Sequence, residues 1–129
     1  MSLCIAIAAT VLTIPATSFS LSWVHSVEKI EWREEWAVTR AGLELRQASV
    51  KGSGAGMEPG EGAVLDDGWW RWEPSLAPIP ELRLAASGAT SGGWTLCHAG
   101  GCMTLGAAPG EESILSACAA VTKPVEPSP

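Results

Sequence analysis

The sequence predicts an all-β fold, a small single-domain β-barrel or β-sandwich of short antiparallel strands with one glycine-rich loop. Apolar residues recur at every second position in several segments, the period of a half-buried strand. Glycine and proline break the chain at short intervals, with 14 Gly and 9 Pro among 129 residues, which suits many short strands joined by turns. No heptad pattern or internal repeat cuts across this texture. The length is that of one domain, expected over residues 1–120, with 121–129 a disordered tail.

The first twenty residues, MSLCIAIAATVLTIPATSFS, contain β-branched and aliphatic runs that read as two strands, Leu3 to Ala8 and Val11 to Ile14. A secretory signal is the competing reading. It lacks a basic residue before the apolar run, and Pro15 interrupts that run. Phe19, Leu21 and Trp23 then alternate with Ser18, Ser20 and Ser22. Ile30, Trp32, Glu34, Trp36 and Val38 share one parity, which predicts a long strand. A turn at Arg40 to Gly42 and a return strand from Leu43 to Val50 follow. In that strand Glu34 points with the tryptophans, so it lies at the rim of the sheet or is paired. KGSGAGMEPGEGAVLDDGWW is too rich in glycine for more than short regular pieces. EPSLAPIPEL is loop or extended, Leu82 to Ala86 a short strand, and SGATSGG a turn. WTLCHAGGCMTL reads as a hairpin closed by HAGG. Residues 111–119 form a last short element of undetermined type.

Composition excludes some functions. The net charge of −6 and pI near 4.8 argue against a nucleic-acid partner, which needs a basic patch. They equally disfavour electrostatic docking on anionic lipid. Seven Trp stand beside one Phe and no Tyr. Several of these rings are expected in the core and one or two on a pocket wall. With neither a convincing signal nor a membrane-spanning helix, the expected location is cytoplasmic or peripheral to the inner membrane, with the periplasm as alternative.

The four cysteines admit three readings. Two disulfides, Cys97–Cys102 and Cys4–Cys118, are the simplest pairing. Free buried thiols are the second. A zinc site of four thiolates, or three with His98, is the third, although C-x4-C is an unfamiliar spacing for it. No metal site is assigned and no cofactor is implied.

SWVHSVEKIEWREEW brings His25, Ser26 and Glu28 close in sequence. Neighbours on a strand point to opposite faces, so His25 does not activate Ser26, and a hydrolase is disfavoured. The structural alternative ends the strand at His25, with Ser26 and Glu28 holding the bend. GSGAGMEPG offers backbone N–H groups for an anion but lacks the ending of a phosphate loop. The binding hypothesis is a pocket walled by Gly52 to Gly56, Met57 and the Trp69–Trp72 cluster, with Trp70 included and His25 at its base.

HSVEK at 25–29, GAGM at 54–57 and DDGWW together resemble a family of small bacterial proteins, the domain of unknown function numbered eighteen-fifty. The resemblance runs from the Leu-Cys near the start to about residue 119. His25, Ser26, Glu28, Gly54, Gly56 and Met57 match its hallmark positions. It implies an accessory protein encoded beside, or fused to, TAXI-class TRAP transporters of small organic acids. The implied partners are the permease, its solute-binding protein or a small carboxylate ligand. The alternative is a small enzyme acting on the imported acid, with His25 as general base and Glu28 as its partner.

Overall fold

The computed structural model describes residues 1–25, 30–51, 62–86 and 90–119, with the backbone alone at 25, 90 and 91. The expected tail, 121–129, lies outside the described residues. Among them every regular element is a strand. The chain runs β1 (Ser2–Ile7), β2 (Thr10–Ile14), β3 (Ser18–His25), β4 (Glu31–Thr39) and β5 (Gly42–Lys51). It continues with β6 (Val64–Asp66), β7 (Trp69–Trp72), β8 (Glu81–Ala86), β9 (Thr90–His98), β10 (Gly101–Leu105) and β11 (Gly110–Cys118).

The strands form a four-stranded sheet, β2-β1-β11-β8, and a seven-stranded sheet, β10-β9-β3-β4-β5-β7-β6. Every pairing is antiparallel. Both sheets keep their edges, so the fold is a sandwich and not a closed barrel. The period-two pattern sets which face each strand turns inward. Leu3 and Ile5 of β1, Leu84 of β8 and Leu115 of β11 meet Phe19 and Leu21 of β3, Trp36 and Val38 of β4, Leu43 of β5 and Leu96 of β9. Leu3, Ile5, Leu21, Leu43, Leu96 and Leu115 are fully buried.

A β-bulge lies between Glu35 and Trp36, where Glu35 pairs with Gln47 but Trp36 pairs with Leu45. The unpaired Arg46 is exposed. The extra residue shifts parity along β5, so Leu43 and Leu45 face inward before it, and Ala48 and Val50 after it. At the other end of the chain, β1 pairs with β11, Ser2 opposite Cys118 and Cys4 opposite Ser116. This diagonal places the Cys4 and Cys118 Cα atoms 5.9 Å apart, and a disulfide joins them. Cys97 and Cys102 are directly opposite in the β9–β10 hairpin and are also joined.

Of the SGATSGG segment, expected as a turn, residues 87–89 lie outside the described residues, and the remainder is strand. β9 begins at Thr90, and Gly92 and Gly93 fall inside it, at an irregularity opposite Trp23. Gly93 has φ +78, and a Cβ there would stand 2.7 Å from the Leu105 carbonyl oxygen. Only glycine allows so close an approach of β9 to the chain leaving β10. The element at 111–119 resolves as a strand of nine residues that pairs with both β1 and β8.

A candidate binding face lined by tryptophans

The short sheet covers only part of the long one. On the uncovered part, the inward parity of the long sheet continues as a row of large rings. Trp23 pairs with Trp32, Trp32 with Val50, Val50 with Trp70 and Trp70 with Leu65. A second row, one step toward the core, runs from Leu96 through Leu21, Glu34 and Ala48 to Trp72. Residues directly opposite in antiparallel strands share a face, so both rows lie on one face of the sheet, where Leu96, Leu21, Ala48 and Val50 are buried and Trp23, Trp32, Trp70 and Trp72 half-buried.

The rings touch in sequence across the sheet. Trp94 meets Trp23 at 4.9 Å between centroids, tilted by 54°. Trp23 lies parallel to Trp32 at 6.3 Å. Trp32 meets Trp72 edge-on at 6.2 Å. The last contact spans β5, and the small side chain of Ala48 leaves the room for it. Trp94 and Trp23 pack against the core, and the Trp94 indole N–H donates to the Ala85 carbonyl at 2.9 Å, tying the two sheets together. All of these rings are half-buried, and Trp36 alone among the seven tryptophans is fully in the core. Of the several rings expected in the core, Trp36 is buried there, and Trp23 and Trp94 pack against it half-buried.

Glu34 sits within this surface. Its carboxylate accepts a 2.9 Å hydrogen bond from the Trp36 indole N–H. Burial pushes the Glu34 carboxyl above the usual carboxylate range, and the Trp36 bond offsets this only in part. The desolvation of a charge beside apolar rings is the cause. The opposite face of the long sheet is different in character. It carries Ser18, Ser20, Glu31, Arg33, Glu35 and Arg71, and there Arg33 lies over the Trp69 ring at 4.6 Å from its centroid.

The sequence-predicted site residues divide as follows. Trp70 lies in β7 on the tryptophan face, and its neighbours Trp69 and Arg71 face the other way, so Trp69–Trp72 is not one cluster. The His25 backbone ends β3 opposite Thr90. Ser26, Glu28, Gly54, Gly56 and Met57 lie outside the described residues, as does the pocket expected from Gly52 to Gly56. The strand ends that flank these segments, at His25, Glu31, Lys51 and Thr90, all belong to the end of the long sheet that bears Trp23, Trp32 and Trp70. Sequence reasoning missed Trp23, Trp32, Trp72 and Ala48 as one surface. The shared parity of Trp23 and Trp32 was the available signal, but their pairing depends on the register of β3 against β4.

One groove on the opposite face, of about 390 Å³, is lined in part by Ser18, Ser20, Glu35, Cys97 and His98. It holds the residue types of a hydrolase without the contacts. The His98 Nδ1 accepts the Gly100 backbone N–H at 3.0 Å. No hydrogen bond from His98 to either serine occurs among the described residues.

The family model for a domain of unknown function, DUF1850, matches residues 19–105. The chain belongs to this family. The match is shorter than the resemblance read from the sequence, which extended over both terminal strands. Within the DUF1850 match lie all the strands of the long sheet, from the second residue of β3, and only β8 of the short one. No curated protein and no solved structure matches this DUF1850 chain.

Proposed function

We propose that this DUF1850 chain is a binding module, and that it works as an accessory protein of a TAXI-class TRAP transporter, docking on the permease or its solute-binding protein. The observation that carries the binding reading is the half-buried tryptophan face beyond the edge of the core. Large aromatic rings left partly exposed on a rigid sheet are characteristic of interaction surfaces. The family match coincides with the sheet that bears this face. The transporter context rests on the resemblance of HSVEK and GAGM alone. Two disulfides support a module that works on the oxidising side of the membrane.

A small carboxylate ligand is a weaker partner for this face, because Glu34 places a like charge among the rings. The enzyme alternative needs a His25 side chain in contact with a second polar group, and no described residue of the tryptophan face supplies catalytic geometry. The test is affinity capture of the tagged chain from gently solubilised membranes of its own cells, read by mass spectrometry. Recovery of a TRAP permease or its solute-binding protein with the wild type, and loss of that protein with Trp32→Ala, is the expected result. Recovery of the chain alone overturns the accessory reading. Thermal-shift comparison of His25→Ala and Trp70→Ala with the wild type then asks whether a free small ligand remains.

A further inference from the structure

The tryptophan face has a specific chemistry, and the following inference rests on the docking reading above. We propose that this face accepts a basic side chain, arginine or lysine, of the protein partner, laid over Trp23, Trp32 and Trp72 with the Glu34 carboxylate as its counter-charge.

Four observations point to a cation. Indole faces carry negative electrostatic potential, so an aromatic surface that is partly dry attracts a guanidinium or ammonium group more strongly than a neutral or anionic one. Glu34 stands in the same surface, two strands from Trp72 across Ala48. One of its oxygens accepts from Trp36, and a carboxylate has about four lone-pair sites, so acceptor capacity remains. The sheet already uses this chemistry on its other face, where Arg33 lies 4.6 Å and Lys51 5.9 Å from the centroid of the Trp69 ring. There the sheet supplies its own cations. On the tryptophan face the described residues supply the rings and a carboxylate, the complementary half of the same arrangement. The chain's net charge of −6 adds a long-range field that favours a basic partner.

The energetics favour a cation over a carboxylic ligand for a further reason. A carboxylate held among apolar rings is poorly solvated. A guanidinium brought against it restores the lost interaction and forms charge-assisted hydrogen bonds, whereas a second carboxylate adds repulsion. Arginine is the better fit of the two, since its planar head stacks on indole while its edge donates to the carboxylate.

The test uses the full chain and small probes followed by tryptophan fluorescence: butylguanidinium, the neutral near-isostere butylurea, and butyrate. The expected result is saturable binding of butylguanidinium, at least about tenfold tighter than butylurea, with no binding of butyrate. Glu34→Gln keeps an acceptor for the Trp36 N–H and so tests the charge without removing that bond. It is expected to weaken butylguanidinium about three- to tenfold and leave butylurea unchanged. Trp32→Ala is expected to weaken it about tenfold. Trp32→Phe, which retains a ring, guards against a folding defect and should recover much of the loss. Trp69→Ala, on the opposite face, should leave probe binding as in the wild type.

Equal binding of butylguanidinium and butylurea overturns the inference and leaves the aromatic face as a neutral docking surface. Preference for butyrate overturns it in favour of the small carboxylate. Absence of any probe binding, together with partner capture that survives Trp32→Ala, overturns the inference and moves docking off the tryptophan face, whereas capture of no partner at all overturns the docking reading itself.

Discussion

Removing the Cys4–Cys118 disulfide tests the architecture most directly, because it links the first and last strands of the short sheet. The loop it closes spans a sequence separation of 114 residues. Loop-closure entropy for that length corresponds to a stabilisation of about 5 kcal/mol at 25 °C. The hairpin disulfide Cys97–Cys102 closes a separation of only 5, for which the same relation gives about 2 kcal/mol. The double variants Cys4→Ser/Cys118→Ser and Cys97→Ser/Cys102→Ser should therefore differ by about 3 kcal/mol. Urea denaturation without reductant measures each, with a larger m-value expected for the first variant as its unfolded chain expands. Wild-type protein denatured without reductant should show no reactive thiol. Equal stability losses in the two variants would refute the loop argument. Four titratable thiols would refute the cross-links themselves, and thiols that appear only on adding chelator would revive the zinc reading.

Three further outcomes follow from particular contacts. Glu34→Gln is expected to stabilise the protein at neutral pH: the folded state holds the Glu34 proton to higher pH than the unfolded chain, so wild-type stability is lost as pH rises through the folded pKa. The advantage of the variant should fade as pH falls through the folded pKa toward the ordinary carboxylate value of 4.5, and a pH-independent difference in urea midpoints would contradict this. Trp94→Phe removes the 2.9 Å bond to the Ala85 carbonyl and should cost about 1–2 kcal/mol in the same assay. Gly93→Ala forces a left-handed residue at φ +78 and a Cβ 2.7 Å from the Leu105 oxygen. Its cost should exceed about 2 kcal/mol, and a neutral effect would mean that β9 does not pass so close to the segment after β10.

The elements legible in the sequence were those whose inward and outward residues differ sharply. β3 alternates Ser with Phe, Leu and Trp, and β4 alternates charges with large apolar residues, so local pattern alone assigns both. β11 was opaque for the opposite reason. Its inward residues are Ser113, Leu115 and Ala117, while Ile114 faces away from them, so the apolar contrast is nearly erased. The β6–β7 hairpin carries a strong turn signal, Asp67-Gly68, with φ of 51° and 83°, as a tight two-residue connection requires. Its strands are only three and four residues long, and the signal was submerged in the glycine-rich stretch before it. The candidate face was legible in its parts. The parity of Glu34 with the tryptophans was apparent, but Trp72 joins them only through β5, whose bulge shifts the inward set to Ala48. That shift is a property of pairing between strands, and periodicity within one strand does not contain it.

The position of Glu34 also separates structure from function. Its described role in the fold is to accept the Trp36 indole N–H. A glutamine would accept the same bond without placing a charge among rings, and at lower desolvation cost. The hydrogen bond therefore accounts for an acceptor at this position and leaves the charge unexplained. A stability advantage of Glu34→Gln, coupled to a loss of cation binding in the same variant, would connect the two. The fold would then carry a locally unfavourable carboxylate whose burial is relieved when a basic group arrives, the pattern expected where binding and stability make opposite demands on one side chain.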